Sequence, residues 1–408
     1  MSLNNRKRDM TPFDMRQPPR RPSALLMPVV WGASFLCTRR FRLKIDRSGV
    51  RGLKPPYLVL ATHQGFADYY IAPLALFPHR ASYVSDMEGF AAFGKSLYRA
   101  VGCIGKRRFV PDPSVIVNLR RVLRDGRIAV LYPESRHCNA GLTSLIPDNM
   151  GKLCKLLGVP VVILSAHGSY LANPFWDEAH TRPAKLTARL ECICTAEQLK
   201  SVGEQELQRT IEQKLSYDEY EWQLQSGSRI TYSKRCEGLH KALYRCRSCA
   251  EEHTMRSQGS RIFCEKCGAS WEMDELGRLT GAGGTDSVPA WYRWQQALVE
   301  EELSQGGYHA EFDVRVEALP NEKGFVPLGS GRLCHNAEGF TLDIAGKSLS
   351  FSSRSMESVQ TEYDYRGRGS CLVLSDRDCC YYCYCDSQDF SLTRLQFAAE
   401  YFHKSICK

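Results

Sequence analysis

The chain has 408 residues, of which 43% are hydrophobic and 24% charged, and a formal net charge of +9. That length exceeds one ordinary core and predicts two or three domains of soluble, globular composition. No run reaches the roughly 18 consecutive apolar residues of a membrane span, which excludes a multispan protein.

The positive charge sits at the start. Residues 1–51 hold ten Arg and two Lys against three Asp, so the remainder of the chain sums to about zero. Within this basic segment, Ala24 to Cys37 is an apolar stretch bracketed by Arg20, Arg21, Arg39 and Arg40. It is short for a span. It suits either a helix lying in a lipid headgroup layer or an ordinary buried first helix behind a basic leader, and periodicity does not separate the two. The leader is too polar and long for a cleaved signal peptide, and no A-x-A site follows. Eighteen cysteines without an export signal point to a reducing, intracellular compartment.

Apolar runs at Tyr57 to Ala61, Ser82 to Ser85, Ile128 to Tyr132 and Val161 to Ser165 predict buried strands alternating with helices, the pattern of an α/β layer structure. Asp112 and Pro113 supply a cap and a first-turn proline. Val115, Leu119, Val122 and Leu123 make an apolar face, and Gly126 stops the helix. Asp148 to Gly158 repeats that design, and Glu204 to Gln225 is charged and helical in pattern. Three strands end in polar residues: Thr62-His63-Gln64, Pro133-Glu134-Ser135-Arg136 and Ala166-His167-Gly168. Open α/β sheets bind ligands beyond the carboxyl ends of their strands, so a site is expected there.

His63 and Asp68 are five residues apart, which on a continuous helix would separate them by about 140°. With His63 at a strand tip and Asp68 in the first turn of the following helix, the carboxylate orients one ring nitrogen and the other is left to act as a base. The spacing alone is weak evidence, and a capping Asp beside a packed His would satisfy it. Gly102 to Arg108 (GCIGKRR) adds a basic cluster able to hold phosphate, although a solvated turn is the usual fate of such a run. Glu134 and Arg136 add a carboxylate and a guanidinium at a strand end.

The segments His63 to Asp68 (HQGFAD), Gly102 to Arg108, Pro133 to Arg136 (PESR) and Val159 to Ile163 (VPVVI) resemble, in order and rough spacing, the four motif blocks of the PlsC-like lysophospholipid acyltransferases. The resemblance covers about residues 25–200. It implies transfer of a fatty acyl group from acyl-CoA or acyl carrier protein to the hydroxyl of a lysophospholipid or glycerol phosphate. It also implies His63 as general base, Asp68 as its orienter, Arg108 (with Arg107 second) as the phosphate contact, and Glu134 and Arg136 as acceptor-binding residues. Thr62 stands where the common pattern has Asn, Gly65 replaces a small hydroxyl residue, and the third block is one residue shorter than the usual P-E-G-T-R, which puts the phosphate geometry and the acceptor in question.

Cys246-x2-Cys249 and Cys264-x2-Cys267 lie fourteen residues apart, the pattern of a structural four-thiolate Zn²⁺ site in a zinc ribbon. Cys379, Cys380, Cys383 and Cys385 read as a buried strand rich in cysteine and tyrosine, with metal binding the lesser alternative. Short alternating runs beyond Leu333 and a helical pattern from Leu392 to Ile406 resemble a pleckstrin-homology or GRAM-type module. The expected organisation is a basic leader (1–23), an acyltransferase-like α/β domain with a mixed or mostly parallel sheet (24–215), a zinc ribbon (240–275), a linker (277–289) and a β-rich module with a terminal helix (308–408). A peripheral place on the cytoplasmic face of a membrane follows from the resemblance and the basic N-terminus. A catalytically inactive lipid-binding scaffold is the main rival. Nucleic-acid binding is not favoured, because no basic surface interleaved with aromatics is visible.

Overall fold

Tyr57–Ala61 is buried at all five positions, as a run apolar on both faces must be when it lies at the centre of a covered sheet. The structure, a computed structural model, describes residues 9–177 and 180–407, so the first eight residues of the leader lie outside the described residues. The first sheet comprises β1 (Lys44–Gly49), β2 (Tyr57–Ala61), β3 (Ala81–Asp86), β4 (Ile104–Lys106), β5 (Ile128–Leu131), β6 (Val161–His167) and β7 (Thr187–Cys194), in spatial order β1-β7-β6-β2-β5-β3-β4. β2 runs parallel to β5 and to β6 on its two sides, while β6 and β7 are antiparallel, so the sheet is mixed.

Helices cover both faces: α1 (Met27–Arg39), α2 (Asp68–Ala75), α3 (Met87–Phe93), α4 (Lys95–Ala100), α5 (Pro113–Arg124), α6 (Met150–Leu157), α7 (Ser169–Ala172), α8 (Gln198–Ser201), α9 (Glu204–Leu215) and α10 (Glu219–Ser226). α5 begins as its sequence dictates, with the Asp112 carboxylate accepting from the Ser114 amide at 2.8 Å and Pro113 in the first turn. Its apolar stripe packs with Leu58 and Leu60 of β2, whereas Val59 and Ala61 face the opposite core with Ile71 and Ala72 of α2.

The helical pattern over Glu204 to Gln225 is made by two helices, α9 and α10. The break at residues 216–218 lets Tyr217 turn inward and the Asp218 side chain cap α10. Residues 277–289 are not a linker. They form β11 (Arg278–Gly281) and β12 (Gly284–Ser287), with Gly283 and Gly284 at positive φ making the turn, and they run into α11 (Val288–Ser304). With β8 (Met255–Gln258), β9 (Arg261–Cys264) and β10 (Ser270–Met273) these strands form a five-stranded antiparallel sheet, closed by Trp271 packing edge-on against Trp291 of α11.

The third sheet is wholly antiparallel. It contains β13 (Ala310–Leu319), β14 (Val326–Asn336), β15 (Gly339–Ile344), β16 (Lys347–Ser352), β17 (Gln360–Glu362), β18 (Cys371–Ser375) and β19 (Cys380–Tyr384), in order β16-β15-β14-β13-β19-β18-β17, followed by α12 (Leu392–Cys407). Cys379, Cys380, Cys383 and Cys385 are buried in or beside β19 and form no metal-ligand group among the described residues. This sheet packs against the first domain. The Phe13 amide donates to the Pro320 carbonyl, and Asn118 and Arg127 hold the carbonyls of Met15 and Arg20, so the described part of the leader is a strap between the two.

Candidate active site

β2 delivers His63 just past its carboxyl end, and Thr62 ties that tip to β6 by accepting from the Ala166 amide at 3.0 Å. The chain then turns tightly. Gly65 lies where a Cβ would come 3.0 Å from the Ser169 carbonyl oxygen, which accounts for a glycine in place of a hydroxyl residue. Asp68 opens α2, where the helix dipole favours a carboxylate, and its Oδ2 accepts from the amides of Gln64 (2.6 Å) and Gly65 (3.0 Å).

The same Oδ2 lies 3.5 Å from His63 Nδ1, within ion-pair distance but too loose for a hydrogen bond, so Nδ1 is buried without a hydrogen-bond partner. Catalytic pairs are often this long before substrate binds. Nε2 is the nitrogen not turned toward Asp68. His63 is only 6% exposed.

A narrow cavity of about 40 Å³ adjoins His63 and is lined by Tyr69, Asp86, Lys106, Arg108, Tyr132 and Ser135 among others. A larger cavity of about 720 Å³, between the leader strap and the start of α5, includes Arg107 but not His63, Asp68 or Arg108; it offers no acid–base pair. The structure therefore brings His63, Asp68 and Arg108 together and sends the other expected substrate contacts elsewhere. Arg107 donates to the carbonyls of Arg377, Pro320 and Asp378. Arg136 donates to Gln396 at 3.1 Å and pairs with Glu400 of α12 at 2.9 Å. Glu134 is buried and fully engaged, with Oε1 accepting from the His63 amide (2.8 Å) and Oε2 from the Ser144 amide (2.7 Å) and the Tyr217 hydroxyl (2.9 Å). Burial pushes the Glu134 carboxyl up to about 7 against the pull of those donors.

Two groups at the site were not singled out from the sequence. His137 follows the PESR block directly. Its ring lies 4.0 Å from that of His63 and stacks on Phe175, and both its nitrogens are buried without partners. Burial, with His63 and Arg108 nearby, holds it well below the usual histidine range, so it is neutral at physiological pH. A second histidine beside the motif was the available signal. Tyr217, 83 residues from Glu134, carried none. At the next strand tip, His167 Nδ1 lies 2.8 Å from the buried carboxylate of Glu219, which also accepts from Gln64 and the Gly168 amide.

The four ribbon cysteines converge. Cys246 and Cys267 sulfurs are 3.7 Å apart, Cys249 and Cys264 sulfurs 3.8 Å, and all four lie within 4.8 Å of one another. Four thiolates at 2.3 Å from one tetrahedral ion would be separated by about 3.8 Å, so the set fits a metal. Each pair lies in the same turn: the Ala250 amide donates to the Cys246 carbonyl and the Gly268 amide to the Cys264 carbonyl, with Ala250 and Gly268 both at positive φ.

His63 and Asp68 thus meet beyond the carboxyl end of a central strand of an α/β domain, and His63 and Arg108 line one narrow cavity. Residues 42–169 match the Acyltransferase family. Among solved structures, the chain is similar to the 1-acyl-sn-glycerophosphate (LPA) acyltransferase PlsC from Thermotoga maritima at 16% identity, over 46% of this chain and 76% of that one, with a TM-score of 0.37. A Streptomyces coelicolor structure, described by the words "Mutations in SsgB correlate to longitudinal cell division during sporulation", is similar at 11% identity over 24% of this chain and 95% of that one, with a TM-score of 0.17. No curated protein matches the chain.

Proposed function

We propose that the chain transfers a fatty acyl group from a thioester donor, acyl-CoA or acyl carrier protein, to the hydroxyl of a lysophospholipid or glycerol phosphate. The observation that carries this reading is the His63–Asp68 pair facing Arg108 across one cavity. His63 takes the proton of the acceptor hydroxyl as its oxygen attacks the thioester carbonyl. Asp68 steadies the imidazolium that forms, and collapse of the tetrahedral intermediate expels the thiol, which recovers the proton. Arg108 is assigned to the acceptor. Glu134 positions the His63 backbone, and Arg136 and Arg107 fasten the C-terminal sheet.

The ribbon cysteines are assigned to structural Zn²⁺, and a closed set of four thiolates leaves no position for substrate. The seven antiparallel strands with a terminal helix support a PH- or GRAM-like accessory module. For the membrane surface the supporting feature is α1. It buries Met27, Ser34 and Thr38 and exposes Val29 (67%), Phe35 (59%) and Leu36 (67%), with Leu25 (87%) just before the helix and Arg39 and Arg40 at its end. No helix among the described residues is long and apolar enough to cross a membrane.

One observation favours the scaffold reading: the cavity beside His63 is narrow, and the neighbouring motif arginines hold the C-terminal sheet. Incubation of the purified protein with palmitoyl-CoA and palmitoyl carrier protein, each with a panel of lysophospholipids and glycerol phosphate, separates the two. Thiol release coupled to a new acylated lipid supports the enzyme, and lipid binding without product from any pair supports the scaffold.

A further inference from the structure

A histidine–carboxylate pair tighter than His63 and Asp68 lies at the tip of β6. His167 Nδ1 is 2.8 Å from Oε1 of Glu219, and the His167 ring stacks on Trp222 of α10 with centroids 5.2 Å apart. Glu219 is wholly buried at the first turn of α10, where its amide donates to the Gly141 carbonyl and the Asp218 side chain caps the helix. Its Oε2 accepts from the Gly168 amide at 2.6 Å, and its Oε1 from the Gln64 side chain at 3.0 Å. Burial pushes the Glu219 carboxyl up, and the contact with His167 is the largest pull the other way.

Gln64 connects this pair to the base. It stands between His63 and Gly65 and is fully buried. Its Nε2 donates to the Ala166 carbonyl at 2.7 Å as well as to Glu219, so both partners of that nitrogen are acceptors and the side-chain amide has one orientation. Its backbone amide is the one that Asp68 Oδ2 accepts at 2.6 Å. A continuous path of polar contacts runs from His167 through Glu219 and Gln64 to Asp68, and it ends on the oxygen that lies 3.5 Å from His63 Nδ1. Because that contact is short of a hydrogen bond, a shift on the order of 0.5 Å at residue 64 decides whether the bond forms. Glu134 fixes the His63 amide, and Glu219 fixes the residue that follows it.

We infer that Glu219, held in place by His167, is a positioning residue for the His63 base: it fixes Gln64 and, through it, the Asp68 carboxylate, and so acts on the chemical step without touching substrate. This rests on the acyl-transfer reading above and extends it to a residue outside the matched segment, since Glu219 lies beyond residue 169.

The full-length protein is given palmitoyl-CoA and, in parallel, palmitoyl carrier protein, each with the lysophospholipid panel and glycerol phosphate, and kcat and KM are measured on every pair that yields acylated lipid. Glu219→Gln should lower kcat about thirtyfold with KM for both substrates within about twofold, because misplacing a base costs rate and not binding. Gln64→Leu should lose about as much, and the double variant no more than Gln64→Leu alone, since the two act in series. Losses that multiply in a folded double variant, a rise in KM with kcat unchanged, or a folded Glu219→Gln of wild-type kcat overturns the assignment of Glu219 and leaves the acyl-transfer reading standing. If Glu219→Gln does not fold, His167 decides. His167→Phe, which keeps a ring on Trp222 and removes the donor, should lower kcat about fivefold, and His167→Gln, whose amide still donates, should lose less; an unchanged kcat in His167→Phe overturns the assignment. A wild-type protein that forms no product from any pair overturns both readings.

Discussion

At the scale of single residues, the site is organised by carboxylates that face backbone more than substrate. Asp68 holds two amides of the loop that presents His63, and Glu134 holds the His63 amide itself. Glu134 makes a pH prediction. Its carboxyl titrates near 7 in the folded protein and at an ordinary value near 4.5 when unfolded. Between those values the folded state keeps a proton that the unfolded state has lost, so this group's contribution to stability falls as pH rises through that window. Glu134→Gln should abolish that part of the pH slope. It should also cost roughly 2 kcal/mol at pH 8, because the amide end cannot accept from a buried N–H or the Tyr217 hydroxyl. Urea unfolding of both proteins from pH 4.5 to 8 measures both effects, and an unchanged slope would count against the shift.

At the scale of elements, the sequence was most legible where the determinants are local. β2, β5 and β6 appear as apolar runs because strands covered on both faces must be apolar, and α5 is marked by Asp112, Pro113 and its stripe. Cysteine spacing announced the convergence of Cys246, Cys249, Cys264 and Cys267 for the same reason, since two C-x2-C turns are short-range objects. What the sequence hid is set at long range. The α9–α10 break depends on Tyr217 reaching Glu134, and the 277–289 segment has linker composition although its glycines make a hairpin turn within a sheet. His63, Asp68 and Arg108, singled out from the sequence, lie close together in the structure, whereas the destination of Arg136 was not legible, because Glu400 lies 264 residues away. The ribbon supplies a prediction at this scale. Cys246→Ser should lower bound zinc well below about one ion per chain and reduce the melting temperature by several degrees, with acyl transfer by the folded fraction largely retained. Zinc content by atomic absorption and a thermal melt measure this, and stoichiometric zinc in the variant would contradict it.

At the scale of the whole molecule, the C-terminal sheet and α12 pack against the first α/β domain. Three arginines of that domain reach them: Arg107 to the backbone of residues 320, 377 and 378, Arg108 to Glu362, and Arg136 to Gln396 and Glu400. Arg136 and Glu400 are both buried, so Arg136→Ala leaves a carboxylate without its partner and should cost about 3 kcal/mol in denaturant unfolding. A substrate contact at that position would instead raise KM with stability unchanged.

If His63 is the base of an acyl transfer, its role shows in a comparison of the wild-type protein with His63→Ala, both shown to be folded, for acylated lipid formed from a palmitoyl thioester and a lysophospholipid. The predicted result is product from the wild type and a loss of about a thousandfold or more in the variant; product formed equally well by His63→Ala would contradict the account.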